Sequence, residues 1–368
     1  MNDGLDGNAI VFCQGAFGST NGKTAHGLVR RTSRYRIVTV IDSHFEGRDA
    51  GTVLDGRPAG IPICRNVMSA IEGARSQGTP ATHFVLGLAP DGGRLPGKFR
   101  PDLIQAINNG LHIDSGIHDF LSEDRELLRF AEKHNVQIRD VRKPPPRNKL
   151  HFFTGRIEAV SCLKIAVLGT DSAVGKRTTA WLLVDALKAA GKRTVMIGTG
   201  QTAWMQGARY GIILDSLVND FVAGELEHAV LTAWEKEAPH VMVIEGQGSL
   251  MNPAYPGGLE ILAATRPDLV VLQHAPARKE YDGFPGFPIH PLGRQILAVE
   301  LLSAKPVAAI VISHDGLAPD EVPSICDSIR CSTGLPAFDV LRDGAERLAG
   351  AVLASQNRTA RSLSVRVA

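Results

Sequence analysis

Short apolar runs alternate with amphipathic stretches along the first part of the chain. The apolar runs are AIVFC (9–13), RIVTVID (36–42), HFVLGLAP (83–90), LHIDSG (111–116) and VQIRDV (136–141). Between them, stretches such as NVMSAIEGARSQG and EDRELLRFAEKHN carry apolar residues at helical spacing. Strands that alternate with helices of about ten residues are typical of parallel βαβ units, so this half is predicted to be a Rossmann-like α/β domain.

The second half repeats the alternation with stronger strands. These are LKIAVLGT (163–170), RTVMIG (193–198), HVMVIEG (240–246), DLVVLQH (268–274) and VAAIVIS (307–313). The stretches FVAGELEHAVLTAWEKEA and LGRQILAVELLSA between them are predicted helices. Near-continuous Val, Ile and Leu are typical of central parallel strands covered on both faces, which predicts a doubly wound parallel sheet.

A run of three prolines, Pro144–Pro146, separates the two patterns. Proline continues neither a helix nor an interior strand, so the chain is expected to divide there. With 368 residues the chain is also more than twice a usual domain length of roughly 150. We therefore predict a Rossmann-like domain over residues 1–143 and a second α/β domain over residues 151–368.

Composition narrows the possible partners and location. The formal net charge is only +2, which indicates no nucleic-acid or anionic-membrane surface. The start of the chain is acidic with a short apolar run, and no stretch approaches 18 apolar residues, so a cytoplasmic protein is expected. Five cysteines without a CxxC pair fit reduced core thiols. The expected partners are a small-molecule substrate and further copies of the chain.

The most informative motif follows the first strand of the second half. Gly175-Lys176 and the hydroxyl residues after it open a helix, an arrangement in which backbone N–H groups surround a phosphate. Lys176 is predicted to contact the outer phosphates, and Thr178 or Thr179 to hold Mg²⁺. Arg177 stands where the GxxxxGK[ST] pattern has its hydroxyl, which weakens the metal prediction. The alternative is a tight βα turn with a surface lysine. The predicted cofactor-binding residues of the loop are Thr170, Asp171, Ser172, Ala173, Val174, Gly175, Lys176, Arg177, Thr178 and Thr179.

This loop resembles that of dethiobiotin synthetase and its relatives, which also runs from Gly-Thr-Asp to Val-Gly-Lys. The runs Gly198–Thr202 (GTGQT) and Val243–Gly248 (VIEGQG) support the resemblance. It implies that Glu245, at a strand tip, reaches Mg²⁺ directly or through water; the alternative is a solvated glutamate. Gln201 is predicted to contact the cofactor and Gln247 the substrate.

Two further groups of residues are candidates for catalysis. Asp220, Gly224 and Glu227 share one face of a predicted helix, which could bind an amine or a metal or could be an exposed surface. His274 ends a strand and could act as a general base, although such a histidine is often structural. Arg278, in the long loop that follows, could clamp a carboxylate. The catalytic candidates are therefore Glu245, His274 and Asp220.

The amino-terminal half contains a weaker motif. Gly22-Lys23-Thr24 follows its first strand and resembles half a phosphate loop. Because the upstream glycine is misplaced, an anion-only site is as plausible as a nucleotide site. Lys23 is predicted to bind substrate.

The whole pattern resembles a two-domain family whose named members are D-glutamate N-acetyltransferases. The resemblance rests on the runs around Gly27, GLAPDGG, SGIHDFL, GTDSAVGKRTTA, TGQT, DFVAGELE and EGQGSL. It implies acetyl transfer from acetyl-CoA to the amine of D-glutamate or a related amino acid, in D-amino-acid catabolism. In that case the loop would hold a phosphate of CoA.

Two other functions are left open by the residues themselves. A phosphate loop with Mg²⁺ ligands suits an ATP-dependent ligase or kinase acting on a small carboxylate or amine. A non-catalytic nucleotide-binding regulator would use the same loop without turnover. A GTPase is disfavoured, because the fifth strand ends Ser313-His314-Asp315 without the guanine-reading pattern.

Overall fold

The computed structural model describes residues 5–366, without the side chains of Asp91 and of residues 357–366. These residues form two compact units. The first runs to Pro144 and also contains Gln201–Ala208. The second comprises Pro145–Gly200 and the chain from Arg209 onward. The boundary between the two units, after Pro144, lies within the run of three prolines.

The first unit is built on a six-stranded parallel sheet. Its strands are β1 Gly7–Phe12, β2 Tyr35–Ile41, β3 Ile63–Cys64, β4 His83–Leu86, β5 His112–Ser115 and β6 Ile138–Asp140. Its helices are α1 Lys23–Arg30, α2 Ala50–Asp55, α3 Val67–Ser76, α4 Arg100–Asn108 and α5 Arg125–Lys133. The strand order β3-β2-β1-β4-β5-β6 is that of a Rossmann fold. Its core consists of the buried strand residues together with Phe12, Phe84 and Phe99; the Phe12 ring contacts the rings of the other two.

The second unit is built on a seven-stranded parallel sheet. Its strands are β7 Leu163–Gly169, β8 Thr194–Gly198, β9 Tyr210–Gly211, β10 Val241–Glu245, β11 Leu269–His274, β12 Val307–Ile312 and β13 Ala337–Phe338. The helices from this part of the chain are α6 Lys176–Ala189, α7 Gln201–Met205, α8 Asn219–Glu237, α9 Gly258–Thr265, α10 Leu292–Ser303, α11 Glu321–Thr333, α12 Val340–Asp343 and α13 Glu346–Arg366.

The order β13-β12-β11-β7-β10-β8-β9 places β7 between β11 and β10. Residues of β7, β10, β11 and β12 are buried almost throughout, as expected for strands covered on both faces. The carboxyl ends of β7, β10 and β11 therefore lie at one edge of the sheet. The two parallel sheets and the helices that connect their strands confirm the predicted α/β fold class.

Helix α7 departs from the simple division of the sequence. It follows β8, yet Met205 is fully buried in the core of the first unit. The Gln206 amide donates to the carbonyls of Gly27 (2.7 Å) and Arg31 (3.0 Å), and the Arg34 guanidinium lies 3.7 Å from the centre of the Trp204 ring. The prediction for residues 151–368 assigned this segment to the second domain, whereas the structure packs it in the first unit.

Across the described residues, none of the helices has the length and apolar character needed to cross a membrane.

Candidate functional site

The loop between β7 and α6 turns tightly ahead of the helix. Ala173 (φ +52°) and Gly175 (φ +104°) both have left-handed backbone conformations, and the second is one that glycine adopts at low cost. Val174 between them is buried, and α6 begins at Lys176. A strand, a tight loop and a helix amino terminus in this order form the backbone geometry that surrounds phosphate groups in proteins.

Lys176 is buried inside this loop. Its Nζ donates to the Asp171 carbonyl at 2.6 Å. A Cβ at Gly169 would lie 2.8 Å from the Lys176 Cδ, and one at Gly246 would lie 3.1 Å from it. Gly169 therefore makes room for the lysine stem, whereas at Gly246 a Cβ would first meet the Val167 carbonyl oxygen of β7, at 2.3 Å.

Asp171 connects the loop to two other segments. Its fully buried carboxylate accepts hydrogen bonds from the Asn252 amide (2.9 Å), the Arg278 guanidinium (2.8 Å) and the backbone N–H of Asp282 (2.8 Å). Arg278 also donates to the Ser172 carbonyl at 2.7 Å. In the structure the predicted carboxylate clamp, Arg278, thus holds the loop that follows β11 against the phosphate loop.

Strand β11 supplies two more contacts. The Thr170 hydroxyl lies 3.0 Å from His274 Nδ1, and the Thr179 hydroxyl donates to the Gln273 side-chain carbonyl at 2.6 Å. Burial lowers the pKa of His274 to about 4. The imidazole is therefore neutral near pH 7, but the same burial weakens it as a general base.

Glu245 lies at the tip of β10, beside β7. Its buried carboxylate accepts a hydrogen bond from the Thr199 backbone N–H at 2.8 Å. Burial raises the pKa of this carboxyl, while the positive charge of Arg177 is the strongest influence in the opposite direction. The structure thus brings the predicted Glu245 next to the phosphate loop.

The side chains at this edge do not match the Mg²⁺ arrangement of GxxxxGK[ST] loops. Arg177 occupies the position of the metal-bound hydroxyl, and the Thr179 hydroxyl is bonded to Gln273. Thr178, partly buried in the first turn of α6, remains as a hydroxyl for the predicted metal.

The predicted face of α8 holds the interdomain connector. A Cβ at Gly224 would lie 2.0 Å from the His151 carbonyl oxygen, so only glycine fits under this segment. The buried Glu227 carboxylate accepts from the backbone N–H groups of Thr154 (2.7 Å) and Ile157 (3.0 Å). Glu227 is therefore not free to bind an amine or a metal as proposed for this face. Asp220 is exposed in the first turn of α8.

The remaining predicted residues lie in different places. Gln201 begins α7 and packs against Gly116 in the first unit, whereas Gln247, after β10, lies beside Gly200 in the second. Lys23 is exposed at the start of α1. In the first turn of α1, the backbone N–H of Ala25 donates to the Gly87 carbonyl at 3.1 Å. This N–H group is therefore already hydrogen-bonded within the first unit.

Sequence reasoning missed Gln273 and Asn252, which support the loop. A polar residue inside the apolar run DLVVLQH signals Gln273, because a buried amide needs a partner. Asn252 carries no comparable local signal: its side chain caps the turn at Ala254 and Tyr255 and reaches Asp171 only in the folded chain.

Comparison with known proteins places this arrangement in a family. The P-loop domain of the family described as a domain of unknown function, DUF1611, matches residues 151–349, and its Rossmann-like domain matches residues 43–144. A solved DUF1611 protein from Anabaena variabilis superposes with a TM-score of 0.86 at 29% identity, covering 95% of this chain and 99% of that one.

Two relatives have functional names. A D-glutamate N-acetyltransferase from a Pseudoalteromonas species is 32% identical over 275 residues, 73% of this chain and 80% of that protein. A D-glutamate N-acetyltransferase from Tritonibacter scottomollicae is 30% identical over 291 residues, 77% of this chain and 84% of that protein. The chain therefore belongs to the DUF1611 family of two-domain proteins, with a Rossmann-like amino-terminal and a P-loop carboxyl-terminal domain.

Proposed function

We propose that this protein is an N-acetyltransferase that moves acetyl from acetyl-CoA to the amine of D-glutamate or a related amino acid, in D-amino-acid catabolism. The observation that carries the proposal is the match, over about three quarters of the chain, to two relatives that bear this name. The identity of about 30% supports the acetyltransferase class more strongly than the choice of amino acid.

The phosphate loop supports the use of a nucleotide-containing acyl donor. The adenosine end of CoA carries phosphate groups. The loop from Thr170 to Thr179 has the backbone geometry of a phosphate-binding site, and the Lys176 ammonium lies inside it. Holding the donor through these phosphates would fix the thioester relative to the protein. Orientation of this kind supplies a large part of the rate acceleration in bimolecular transfers.

The chemistry then requires few groups. The neutral amine attacks the thioester carbonyl, a C–N bond forms, the C–S bond breaks, and the CoA thiolate leaves and is protonated. A base must first take a proton from the ammonium group, and backbone N–H groups must stabilise the oxyanion of the tetrahedral intermediate. Glu245 and the exposed Asp220 are the candidate proton acceptors, and Gln247 is the candidate substrate-binding residue.

The three possible functions are separable in one set of assays. We expect purified protein to release CoA thiol from acetyl-CoA when D-glutamate is present, with N-acetylglutamate formed in equal amount, and to form no ADP from ATP. L-glutamate serves as the matched control for the acceptor. ADP formation that requires Mg²⁺ and a small carboxylate would instead establish a ligase or kinase, and binding of nucleotide without either reaction would establish a regulator.

A further inference from the structure

The residue after the phosphate-loop lysine determines how such a loop uses a metal. In loops of the GxxxxGK[ST] type the hydroxyl at this position binds Mg²⁺, and the ion neutralises phosphate charge. Here the position holds Arg177, in the first turn of α6. The next candidate hydroxyls are Thr178 and Thr179, and that of Thr179 donates to Gln273 at 2.6 Å.

Arg177 also acts on the carboxylate that would complete a metal site. Glu245 is opposite Val167 of β7 in the sheet register, and Gly246 after it contacts the Lys176 stem. Burial raises the pKa of Glu245. The positive charge of Arg177 is the largest effect that lowers this pKa, followed by the hydrogen bond from the Thr199 N–H and the charge of Lys176. The end of β10 that carries Glu245 thus lies beside Lys176, and Arg177 is the next residue of α6.

A divalent cation held by Glu245 would lie at the amino-terminal end of α6, where Lys176 and Arg177 both carry positive charge. Arginine stays protonated at any pH at which proteins are folded. Like charges repel strongly where water is scarce, so these two cationic residues disfavour a metal ion there. Guanidinium groups themselves bind phosphate oxygens well, through paired N–H donors.

We propose that the loop holds its nucleotide phosphate without a divalent cation, with the Arg177 guanidinium, one residue after Lys176, supplying the positive charge that Mg²⁺ supplies in loops with a hydroxyl at this position. The inference rests on the proposed use of the loop to hold a phosphate of CoA. It assigns Arg177 to phosphate binding.

Calorimetric binding of CoA and of ADP, each in EDTA and in MgCl₂, tests the proposal. We expect the wild-type dissociation constant of at least one nucleotide to differ by less than about twofold between the two conditions. Arg177→Ser, which restores the GK[ST] pattern, should weaken binding in EDTA about tenfold to hundredfold, the loss expected for a charge-assisted hydrogen bond. It should recover affinity in MgCl₂. Arg177→Lys, which retains the charge, is the matched control and should stay within about tenfold of wild type in EDTA.

Three results would overturn the inference: wild-type affinity that rises tenfold or more with Mg²⁺, unchanged binding by Arg177→Ser in EDTA, or binding of neither nucleotide by the wild-type protein. The wild-type comparison needs no variant, so it stands even if a substitution prevents folding. Because no acyl acceptor is present, the outcome is also distinguishable from a failure of acetyl transfer: metal-free binding without N-acetylglutamate formation would refute the function alone.

Discussion

At the scale of single residues, the site depends on polar side chains that are buried and bonded to one another. Asp171 holds three segments together, and Gln273 fixes the hydroxyl of Thr179. Buried polar groups of this kind are costly to leave unpaired, about 1–3 kcal/mol each. Single substitutions should therefore have distinct effects on ligand binding and on pH dependence.

Replacement of Lys176 by alanine tests the phosphate loop directly. The ammonium group is buried between two glycines at the sheet edge, where it would make a charge-assisted contact with a phosphate. We expect Lys176→Ala to weaken binding of CoA by about 1.5–3 kcal/mol, measured calorimetrically. Lys188→Ala, at the exposed end of the same helix, is the matched control and should bind as the wild type does. Equal affinity of both variants would remove the loop from the binding site.

His274 should contribute a pH dependence to stability. Its pKa is about 4 in the folded protein, against 6.5 for an unperturbed histidine, because burial disfavours the charged form. The unfolded chain therefore binds the proton more readily between these values. Stability from this residue is fully present above about pH 6.5 and is lost as the pH falls toward 4, by about 2–3 kcal/mol.

The free energy of urea unfolding at pH 7 and pH 4.5 measures this effect. His274→Asn should show a smaller difference between the two pH values than the wild type by about 2 kcal/mol. An undiminished difference in His274→Asn would show that this imidazole is not held neutral by burial.

At the scale of secondary-structure elements, two segments lie where their sequence position does not suggest. The connector after the prolines is held on α8 by Glu227, over Gly224. Helix α7 leaves the second sheet and packs in the first unit with α1 and with residues 32–34, just before β2. Both depend on contacts between residues far apart in sequence, and the second can be tested by its effect on stability.

Met205 gives the sharpest test of α7. Its side chain is fully buried in the core of the first unit, and truncation of such a residue leaves a cavity. We expect Met205→Ala to lower the free energy of unfolding by about 2–4 kcal/mol. Met68→Ala is the matched control, because Met68 is partly exposed on α3 of the same unit, and it should cost less than about 1 kcal/mol. A loss for Met205→Ala no larger than that of the control would show that α7 does not contribute to this core.

At the scale of the whole molecule, the two units cannot be separated by one cut in the chain. A fragment of residues 151–368 would carry Gln201–Ala208 without the residues that cover it. Ala203 and Met205, both fully buried in the complete chain, would become exposed. Exposed apolar patches of this kind promote association.

We therefore expect the fragment 151–368 to aggregate, measured by size-exclusion chromatography and light scattering. The matched control is the same fragment with residues 201–208 replaced by a glycine-serine linker of equal length, which should be monodisperse or form a defined oligomer. If the unmodified fragment behaves as well as the control, the segment does not need the first unit to cover it.

The sequence by itself determined the secondary-structure pattern, the fold class and the phosphate loop. Each of these depends on residues close together in the chain: apolar runs specify strands, and Gly175-Lys176 after a strand specifies a turn into a helix. The family resemblance followed from the same local runs. The prediction of Glu245 as a site residue rests on a local signal of the same kind, a carboxylate that ends a buried strand beside glycines.

Only the tertiary structure decided what these residues contact. Whether Glu227 faces a ligand or the connector, whether Arg278 meets a substrate or Asp171, and which unit contains α7 depend on segments 70 to about 180 residues apart in sequence. Helical spacing gives the face on which a side chain lies, but not the element packed against that face. Burial, which lowers the pKa of His274 and raises that of Glu245, likewise arises only when the sheet edge is assembled.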